Sequence, residues 1–381
     1  MQGAVLVSGD FVRTGGMDMP NFALAEHLAD CGVSVQLVAH RVADALLKHA
    51  RVHWRRVPKP LNSYFLGSFL LDRAGQEEAR KSLSRGERVI VNGGNCQVGD
   101  VNWVHYVHAA YAAESPLSLA RRAKSRVARR LHLAQERSAL RSARIIIANS
   151  ERTRRDLTEL VGIDDTRIRT VYYGIDADRF APVDDAKRRE LRLKFGWPDR
   201  PQIAFIGAMG DRRKGFDSLF SAWSSLCVSK AWDCDLVVVG RGVELPLWQE
   251  RATAAGIADR IRFLGFRSDV PDILRACDAL IAPTRYEAYG LGVQEALCTG
   301  LPALVSADAG VAERYPDQLS ELLLRDVTNA AALEASLKSW FKDQDRLRRV
   351  TLELSASLRQ RTWRTMAREI HALIDGPCAS S

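Results

Sequence analysis

Two glutamates, Glu287 and Glu295, stand eight positions apart in TRYEAYGLGVQEALCTGLPALVS, residues 284–306. A continuous helix would bring both carboxylates near one face, because eight residues make a little over two turns. The tetrapeptide YGLG at 289–292, however, is unfavourable inside a helix and typical of a loop. The pattern therefore predicts a strand over Ala279–Ala282, a loop with Glu287, and a helix with Glu295 in its second turn. Carboxylates and free backbone N–H groups together suit a ligand with hydroxyls and phosphates.

A second polar loop, GDRRKGFD at 210–217, follows a predicted strand and carries Arg212, Arg213 and Lys214. Cations at the carboxyl end of a strand suit a diphosphate, and flanking glycines permit close approach. The alternative is a solvated run of charges. The segment VVVGRG at 237–242 repeats the strand-and-glycine arrangement and would border a nucleoside.

Two segments of the first half also carry candidate residues. Gly15 and Gly16 precede a helix that we expect from about Pro20, so their backbone could approach a phosphate, with a structural turn as the equal alternative. His105 and His108 lie at the end of a predicted strand in VNWVHYVHAAY, residues 101–111. Side chains three apart on a strand face opposite sides. We favour His108, where the apolar run gives way to a loop; a buried core histidine is the alternative.

The composition is that of a soluble globular protein, with 381 residues, 46% hydrophobic and 27% charged. This length suggests two domains. We find no uncharged apolar run near the roughly 20 residues of a membrane span, and MQGAVLVSGD lacks the features of a signal peptide. The seven cysteines are scattered without a CxxC pair, which favours reduced thiols over a disulfide or zinc framework. We therefore expect a cytoplasmic protein.

The net charge of +9 is concentrated in one segment, Leu119–Arg144. Glu136 is the one acidic residue there, against nine basic ones: Arg121, Arg122, Lys124, Arg126, Arg129, Arg130, Arg137, Arg141 and Arg144. We expect a helix whose stripe of Leu119, Ala123, Val127 and Leu131 packs inward. The alternatives for the basic face are simple solvation and peripheral contact with an anionic membrane, at the inner face of the plasma membrane. We do not expect nucleic-acid binding, since the excess charge is local.

Short apolar runs alternate with helical patterns throughout, which indicates parallel sheets covered on both faces. The predicted strands are Ala4–Ser8, Val33–Ala39, Val89–Asn92, Asn102–His108, Arg144–Ala148, Ile168–Tyr172, Gln202–Gly207, Asp235–Gly240, Ile261–Leu264, Ala279–Ala282, Pro302–Ser306 and Glu321–Leu324. Two sets of six predict an α/β protein of two Rossmann-like doubly wound domains facing across a cleft, with the junction near 173–185. Ligands bind such sheets beyond the carboxyl ends of the strands.

Taken together, these motifs resemble the retaining GT-B glycosyltransferases of family 4. The resemblance spans almost the whole chain and is strongest where GDRRKGFD, IRFLGF, CDALIAPTRYEAYGLGVQEAL and GLPALVS follow one another. VYYGIDADRF resembles the interdomain segment, and TWRTMAREIHALI at 362–374 resembles a terminal helix that returns to the first domain. It implies an acceptor-side domain at 1–178, a donor domain at 179–360, and a returning helix and tail at 361–381.

The resemblance also implies roles for individual residues. Glu295 would accept hydrogen bonds from the ribose of a UDP- or GDP-sugar, Glu287 would contact the transferred sugar, and Lys214 would bind the diphosphate. The implied catalytic residues are Glu287, His108 and Lys214. The implied donor-binding set is Gly15, Gly16, Gly207, Arg212, Arg213, Lys214, Gly240, Phe266, Glu287, Ala288, Tyr289, Gly290, Leu291 and Glu295. No metal or other cofactor is expected, and the acceptor would be a hydroxyl of a glycan or glycolipid in cell-surface polysaccharide synthesis.

Two positions depart from the family pattern. Ala208 stands where the family usually has an arginine, so either Arg212 or Arg213 would supply the second cation. Tyr173 stands where the family usually has an asparagine before the interdomain glycine. One alternative is a dehydrogenase, but this sequence lacks the spaced glycine fingerprint of that class. Another is a GT-A transferase, but the sequence matches its acidic triplet in residue type only. A nucleotide-sugar epimerase of the same fold and a catalytically idle nucleotide-sugar binding protein stay open.

Overall fold

A computed structural model describes residues 1–13, 15–112, 119–210 and 212–375, and of residues 65 and 119–128 it describes the backbone. The described chain divides into two compact units. The first contains the described residues of 1–174 together with 361–375, and the second contains 175–360. The first unit thus ends at Gly174, within the predicted junction and four residues before the expected boundary at 178. No helix in the described part of the chain is long and apolar enough to cross a membrane.

The first unit alternates strands and helices. Its strands are β1 (Gly3–Val7), β2 (Asp10–Phe11), β3 (Ser34–Ala39), β4 (Arg41–Val42), β5 (Val52–Arg56), β6 (Arg88–Val91), β7 (Val101–Val104), β8 (Ile145–Ala148) and β9 (Ile168–Thr170). Its first helices are α1 (Asp18–Asp30), α2 (Asp44–Leu47), α3 (Tyr64–Ser84), α4 (Leu119–Ser142) and α5 (Glu151–Asp156).

The second unit repeats this alternation. Its strands are β10 (Gln202–Ile206), β11 (Asp235–Val239), β12 (Ile261–Gly265), β13 (Ala279–Ala282), β14 (Ala303–Ser306) and β15 (Leu323–Leu324). Its helices are α6 (Asp185–Phe195), α7 (Phe216–Cys227), α8 (Leu245–Ala254), α9 (Val270–Ala276), α10 (Leu291–Cys298), α11 (Ala330–Lys342) and α12 (Gln344–Arg359).

Each unit is built on a parallel sheet. The first sheet has the order β5-β3-β1-β6-β7-β8-β9 and the second β12-β11-β10-β13-β14-β15, while β2 and β4 form a separate pair. In both sheets the chain builds outward in one direction and then crosses over to build in the other. The point of reversal lies between β1 and β6 in the first unit and between β10 and β13 in the second. The predicted fold class, with two Rossmann-like doubly wound domains, is confirmed.

The strands of the second sheet show why the sequence folds this way. Ile203 and Phe205 of β10 pack into one core cluster, while Ala204 packs into another, because successive side chains of a strand point to opposite faces. Every residue of β13 and β14 is buried. Such strands read as continuous apolar runs, which is the pattern that predicted them.

All twelve predicted strands are present, and the differences from prediction have local causes. The prediction missed the two-residue strands β2 and β4, and it missed β5, whose sequence VHWRR is partly polar and which lies at the edge of its sheet. The strand predicted over Asn102–His108 is too long, since β7 ends at Val104 and both histidines follow it. The basic segment is helical as predicted, but Leu131 is 43% exposed and therefore does not pack inward. The side chains of Leu119, Ala123 and Val127 lie outside the described residues.

The C-terminal helix belongs to the first unit. Helix α13 (Trp363–Asp375) packs against α1, as expected for residues 362–374. The approach is tight at Gly174, where an added Cβ would lie 2.4 Å from the backbone nitrogen of Trp363. Arg361 donates from Nε to the carbonyl oxygen of Tyr172 at 2.9 Å. Glycine is therefore required at 174 for packing.

Candidate active site

The loops that follow β10 and β13 lie at the reversal point of the second sheet. In doubly wound sheets the carboxyl ends of the two strands flanking this point border the ligand crevice. The loop after β10 leads through Lys214 into α7, and the loop after β13 leads through Glu287 into α10. The sheet order therefore explains why two segments some 70 residues apart in sequence meet here.

Lys214 and Glu287 form an ion pair between these loops. Lys214 Nζ donates to Glu287 Oε2, and an Arg213 guanidinium nitrogen lies 3.5 Å from the same oxygen. The three side chains are about one-fifth exposed, at 21%, 18% and 21% for Lys214, Glu287 and Arg213. Two cations and one carboxylate leave a net positive charge at the mouth of the strands. That charge suits an anionic ligand.

The charges at this pair act on the carboxyl group of Glu287. Burial by itself would raise its pKa, but the positive charges of Lys214 and Arg213, and their hydrogen bonds, outweigh burial. The pKa of Glu287 is therefore held below its usual range. At neutral pH the residue is a carboxylate that can accept hydrogen bonds from hydroxyl groups.

Backbone and side-chain contacts lock the two loops together. The backbone N–H of Arg285 donates to the carbonyl oxygen of Arg213 at 2.8 Å, and the Arg285 guanidinium makes two 2.8 Å bonds to Asp217. At Gly215, where φ is +70°, an added Cβ would lie 1.9 Å from the carbonyl oxygen of Pro283. A side chain there would push the loops apart and displace Lys214.

The structure separates the two arginines that the sequence left as alternatives. Arg213 donates to the carbonyl oxygen of Tyr286 at 3.1 Å and lies beside the Lys214–Glu287 pair. Arg212 has a positive φ of 56°, and its Nε lies 4.0 Å from Glu244 Oε1. Arg213 is thus the cation that accompanies Lys214, in a chain with Ala208 at the family's arginine position.

Helix α10 begins as predicted, directly after Gly290. Gly290 has a φ of +110°, which favours glycine, and no side chain caps the helix. Glu287 therefore does not cap it. The first amides of a helix have no partner within it, so this end presents N–H donors and partial positive charge. The predicted contacts at Ala288 and Tyr289 are limited to their backbone, because both side chains are buried and the Tyr289 hydroxyl donates to Gln294.

Glu295, in the second turn of α10, is half-buried. Among the described residues, no side chain or backbone group forms a hydrogen bond or ion pair with its carboxyl group. Burial raises the pKa of Glu295 to about 7, against an opposing effect of Arg179. Any ligand that donates hydrogen bonds to a partly buried carboxyl group of this kind stabilises its carboxylate form.

Three further predicted positions lie at the ends of β10, β11 and β12. An added Cβ at Gly240 would lie 1.9 Å from the carbonyl oxygen of Gly207, so close packing alone requires glycine at 240. Phe266 directly follows β12 and is 65% exposed. The Arg241 guanidinium carbon lies 5.1 Å from its ring centroid. An exposed ring of this kind offers a face on which a planar base can stack.

His105, in the first unit, is a core residue. It contacts Asn92 at 3.0 Å and Asn21 at 3.4 Å through Nε2, and the Tyr173 hydroxyl through Nδ1. Burial lowers the pKa of His105 to about 3, so the ring is neutral. Tyr173 also accepts a 3.1 Å bond from Asn149, which gives a structural role to the residue that replaces the family's asparagine.

His108 has a different environment. It opens a short 3₁₀ turn, His108–Ala110, and its side chain is 46% exposed. Nδ1 lies 3.0 Å from Glu136 Oε1, which also accepts the backbone N–H of His108 at 3.0 Å. A carboxylate at Nδ1 holds the proton there and leaves Nε2 for a ligand. The His132 ring stacks on His108 with centroids 5.8 Å apart.

Sequence reasoning missed Glu136. Its side chain is 1% exposed, and Oε2 has no hydrogen-bond partner among the described residues. A buried carboxylate inside the basic segment is costly unless it is paired. The available signal was that Glu136 is the one acidic residue of that segment.

Gly15 and Gly16 precede α1, which begins at Asp18 rather than near Pro20. Gly15 has a φ of +106° and Gly16 has open space at its Cβ position, so the backbone is accessible. Asp18 occupies the first turn, and burial together with the charge of Asp10 raises its pKa to about 6. Above that pH its negative charge opposes a phosphate at this helix end. The diphosphate contact at Gly16 stays a prediction.

Comparison with known proteins gives two family matches. The model for "Glycosyltransferase Family 4" matches residues 14–179, and the model for "Glycosyl transferases group 1" matches residues 187–354. D-inositol 3-phosphate glycosyltransferase of Salinispora tropica is 28% identical over 340 residues, covering 81% of this chain and 70% of that protein. Mannosylfructose-phosphate synthase of Agrobacterium fabrum is 29% identical over 248 residues, covering 62% of this chain and 54% of that protein.

Solved structures share the fold. Sucrose-phosphate synthase of Thermosynechococcus elongatus aligns with a TM-score of 0.76 and 19% identity over 98% of both chains. HepE of Anabaena, solved with UDP and glucose, aligns with a TM-score of 0.72 and 16% identity over 98% of this chain and 99% of that one. The fold is that of the GT-B glycosyltransferases. With one family model on each unit, the chain belongs to the group 1, family 4 glycosyltransferases.

Proposed function

We propose that this glycosyltransferase moves a sugar from UDP or GDP to a hydroxyl of a glycan or glycolipid acceptor, with retention of anomeric configuration. One arrangement carries the proposal. Lys214 and Arg213 meet Glu287 at the reversal point of the second sheet, in the loops that lead to the uncapped start of α10. The second turn of α10 carries Glu295, whose carboxyl group has no partner among the described residues. Cations, free amides and carboxylates then meet the diphosphate, sugar and ribose of one ligand.

Each group has a proposed part in donor binding. Lys214 and Arg213 neutralise the diphosphate, aided by the amides at 291 and 292. Glu295 accepts hydrogen bonds from the ribose hydroxyls, and Glu287 accepts them from the transferred sugar. Phe266 supplies a face for the base. The acceptor in this proposal is a glycan or glycolipid intermediate of cell-surface polysaccharide synthesis.

The proposed reaction needs no protein nucleophile and no metal. The bond between the anomeric carbon and the diphosphate oxygen breaks, and the acceptor oxygen bonds to that carbon on the same face. The acceptor proton passes to a departing phosphate oxygen, so atoms and charge balance. The protein's task is to position the reactants and stabilise the negative charge of the leaving group. His108 contacts the transferred sugar.

We expect nucleotide affinity to rise with pH around the pKa of Glu295. The carboxylate accepts charge-assisted hydrogen bonds from the ribose that the neutral carboxyl group does not offer, and this group has a pKa of about 7 in the free protein. Affinity for free nucleotide should therefore increase about tenfold from pH 6 to pH 8 and then level off. Calorimetry across this range measures it. Glu295→Gln controls for titration of the nucleotide's own phosphate, and an equal pH dependence in that variant would contradict the assignment.

We expect Glu136→Gln to lower turnover roughly tenfold and to leave nucleotide affinity unchanged. The size of this effect corresponds to the loss of one charge-assisted hydrogen bond. The reason is that Glu136 fixes the ring of His108 and does not itself touch substrate. Steady-state kinetics and calorimetry of the same variant separate the two effects. In a His108→Ala background, Glu136→Gln should cause no further loss of turnover. An equal loss in both backgrounds would mean a structural role only.

We also propose peripheral attraction of α4 to an anionic membrane. In its described part, Arg129 and Arg130 are exposed. Each cation near such a surface contributes roughly 1 kcal/mol. Arg129→Glu and Arg130→Glu together should reduce sedimentation with anionic vesicles at low salt. Equal sedimentation of the unchanged protein with neutral and anionic vesicles would contradict the attraction.

Two assays test the proposed function. A thermal-shift screen of nucleotide sugars should show stabilisation of about 2.7 kcal/mol at 100 times the dissociation constant. UDP and GDP donors come first, and HepE, which shares the fold, was solved with UDP. Nucleotide release must then depend on an added acceptor, and NMR of the product must show the donor's anomeric configuration. Conversion of the donor in the absence of an acceptor would favour an epimerase. Binding of the donor without any conversion would favour a nucleotide-sugar binding protein without catalytic activity.

A further inference from the structure

Three metal-ligating side chains meet between α1 and α13, within the first unit. His27 and Cys31 are four positions apart at the end of α1, so they share one face, and His371 comes from α13. One ligand atom from each residue lies within 4.8 Å of the other two. The cysteine is exposed, His371 is half-buried and His27 is buried.

The distances between these side-chain atoms approach the distances between two ligand atoms around a bound zinc ion. Cys31 Sγ lies 3.6 Å from His27 Nε2. Two ligands at tetrahedral zinc, with Zn–S of about 2.3 Å and Zn–N of about 2.0 Å, stand roughly 3.5 Å apart. The His27 and His371 ring centroids are 5.5 Å apart at an interplanar angle of 75°. All three ligand atoms lie within 4.8 Å of one another, so metal binding requires only that His371 move closer to the sulfur.

We propose that His27, Cys31 and His371 form a zinc site that joins the C-terminal helix to α1. Two imidazoles and a thiolate are ligands that zinc prefers, and water completes the tetrahedron. On binding, the Cys31 thiol releases its proton to solvent and its sulfur bonds to the ion. The site contains no cysteine pair, because its ligands are an H-x₃-C at the C-terminal end of α1 and a distant histidine.

The proposed ion links α1 to the helix that follows the return of the chain at residue 361. Both helices belong to the first unit, so the proposed site lies within one compact unit.

Cobalt(II) titration of the tag-free, chelator-treated protein tests the proposal. We expect a thiolate-to-cobalt charge-transfer band that saturates at one equivalent and disappears on addition of zinc. Cys31→Ser should abolish the band, and His371→Asn should weaken cobalt binding at least tenfold. Cys227→Ser is the matched control, since Cys227 is partly exposed and lies outside the cluster. It should leave the titration unchanged.

A second readout uses the thiol itself. Zinc should slow alkylation of Cys31 at least tenfold, measured by mass spectrometry of its peptide, and should not slow that of Cys227. Absence of the band, or its persistence in Cys31→Ser, would overturn the proposal. Loss in Cys31→Ser with unchanged binding in His371→Asn would also overturn it, because the bridge between the helices needs both. A hydrogen-bonded thiol–imidazole cluster without metal is then what the structure contains.

Discussion

Replacing Lys214 with alanine is expected to weaken donor binding and to lower turnover together. The lysine would contact the diphosphate in the ground state and in the transition state, so its loss appears in both. A charge-assisted hydrogen bond contributes about 1.5–3 kcal/mol, which corresponds to a factor of about 10 to 150. The substitution also leaves Glu287 with Arg213 alone, at 3.5 Å. Calorimetry with free nucleotide and steady-state kinetics with intact donor measure the two effects.

Matched variants separate this effect from general charge. Lys230→Ala removes an exposed lysine just after α7 and should leave both measurements unchanged. Arg213→Ala should resemble Lys214→Ala with a smaller loss. Arg212→Ala should have little effect on nucleotide affinity, because Arg212 lies beside Glu244. Wild-type affinity and kinetics in Lys214→Ala would show that the lysine belongs to a solvated run of charges.

The two glutamates are expected to divide the donor between them. If Glu295 holds the ribose, Glu295→Gln should weaken free nucleotide and intact donor by similar factors. If Glu287 contacts only the sugar, Glu287→Gln should leave free UDP or GDP affinity nearly unchanged. The effect of Glu287→Gln, on the order of 1–3 kcal/mol, should instead appear in the affinity for intact donor or in turnover. Calorimetric titration of both variants with nucleotide and with donor measures this difference.

Stability gives the control for the glutamate pair. Glu287→Gln breaks the ion pair with Lys214 and should lower the melting temperature, whereas Glu295→Gln removes a carboxyl group without a partner among the described residues and should not. Glu250→Gln, on the exposed side of α8, controls for the substitution itself. Equal weakening of free nucleotide by Glu287→Gln and Glu295→Gln would mean that the roles are wrongly divided.

The fold was largely predictable because its strands are buried on both faces. Every residue of β13 is buried and apolar, and that continuous run appears directly in the sequence. Strand β5 escaped prediction because an edge strand is partly solvated and carries arginines. The strand assigned through His108 was too long because VNWVHYVHA stays apolar beyond the last residue that pairs in the sheet.

The site was predictable in part. The spacing of Glu287, Glu295 and Gly290 on a loop and a helix start was visible in the sequence, and the structure has it so. The choice between Arg212 and Arg213 was not, because it depends on the folded conformation of the loop, in which Arg212 has a positive φ and Arg213 lies beside Glu287. Glu136 and His371 were missed because their partners, His108 for the first and His27 with Cys31 for the second, are distant in sequence and meet only in the folded chain.

A crystal structure with UDP or GDP bound tests the proposed donor site. We expect diphosphate oxygens at about 2.7–3.1 Å from Lys214 Nζ and from the first amides of α10. We also expect both ribose hydroxyls within hydrogen-bonding distance of the Glu295 carboxylate. A nucleotide bound away from the loops after β10 and β13, or one whose ribose does not touch Glu295, would contradict it.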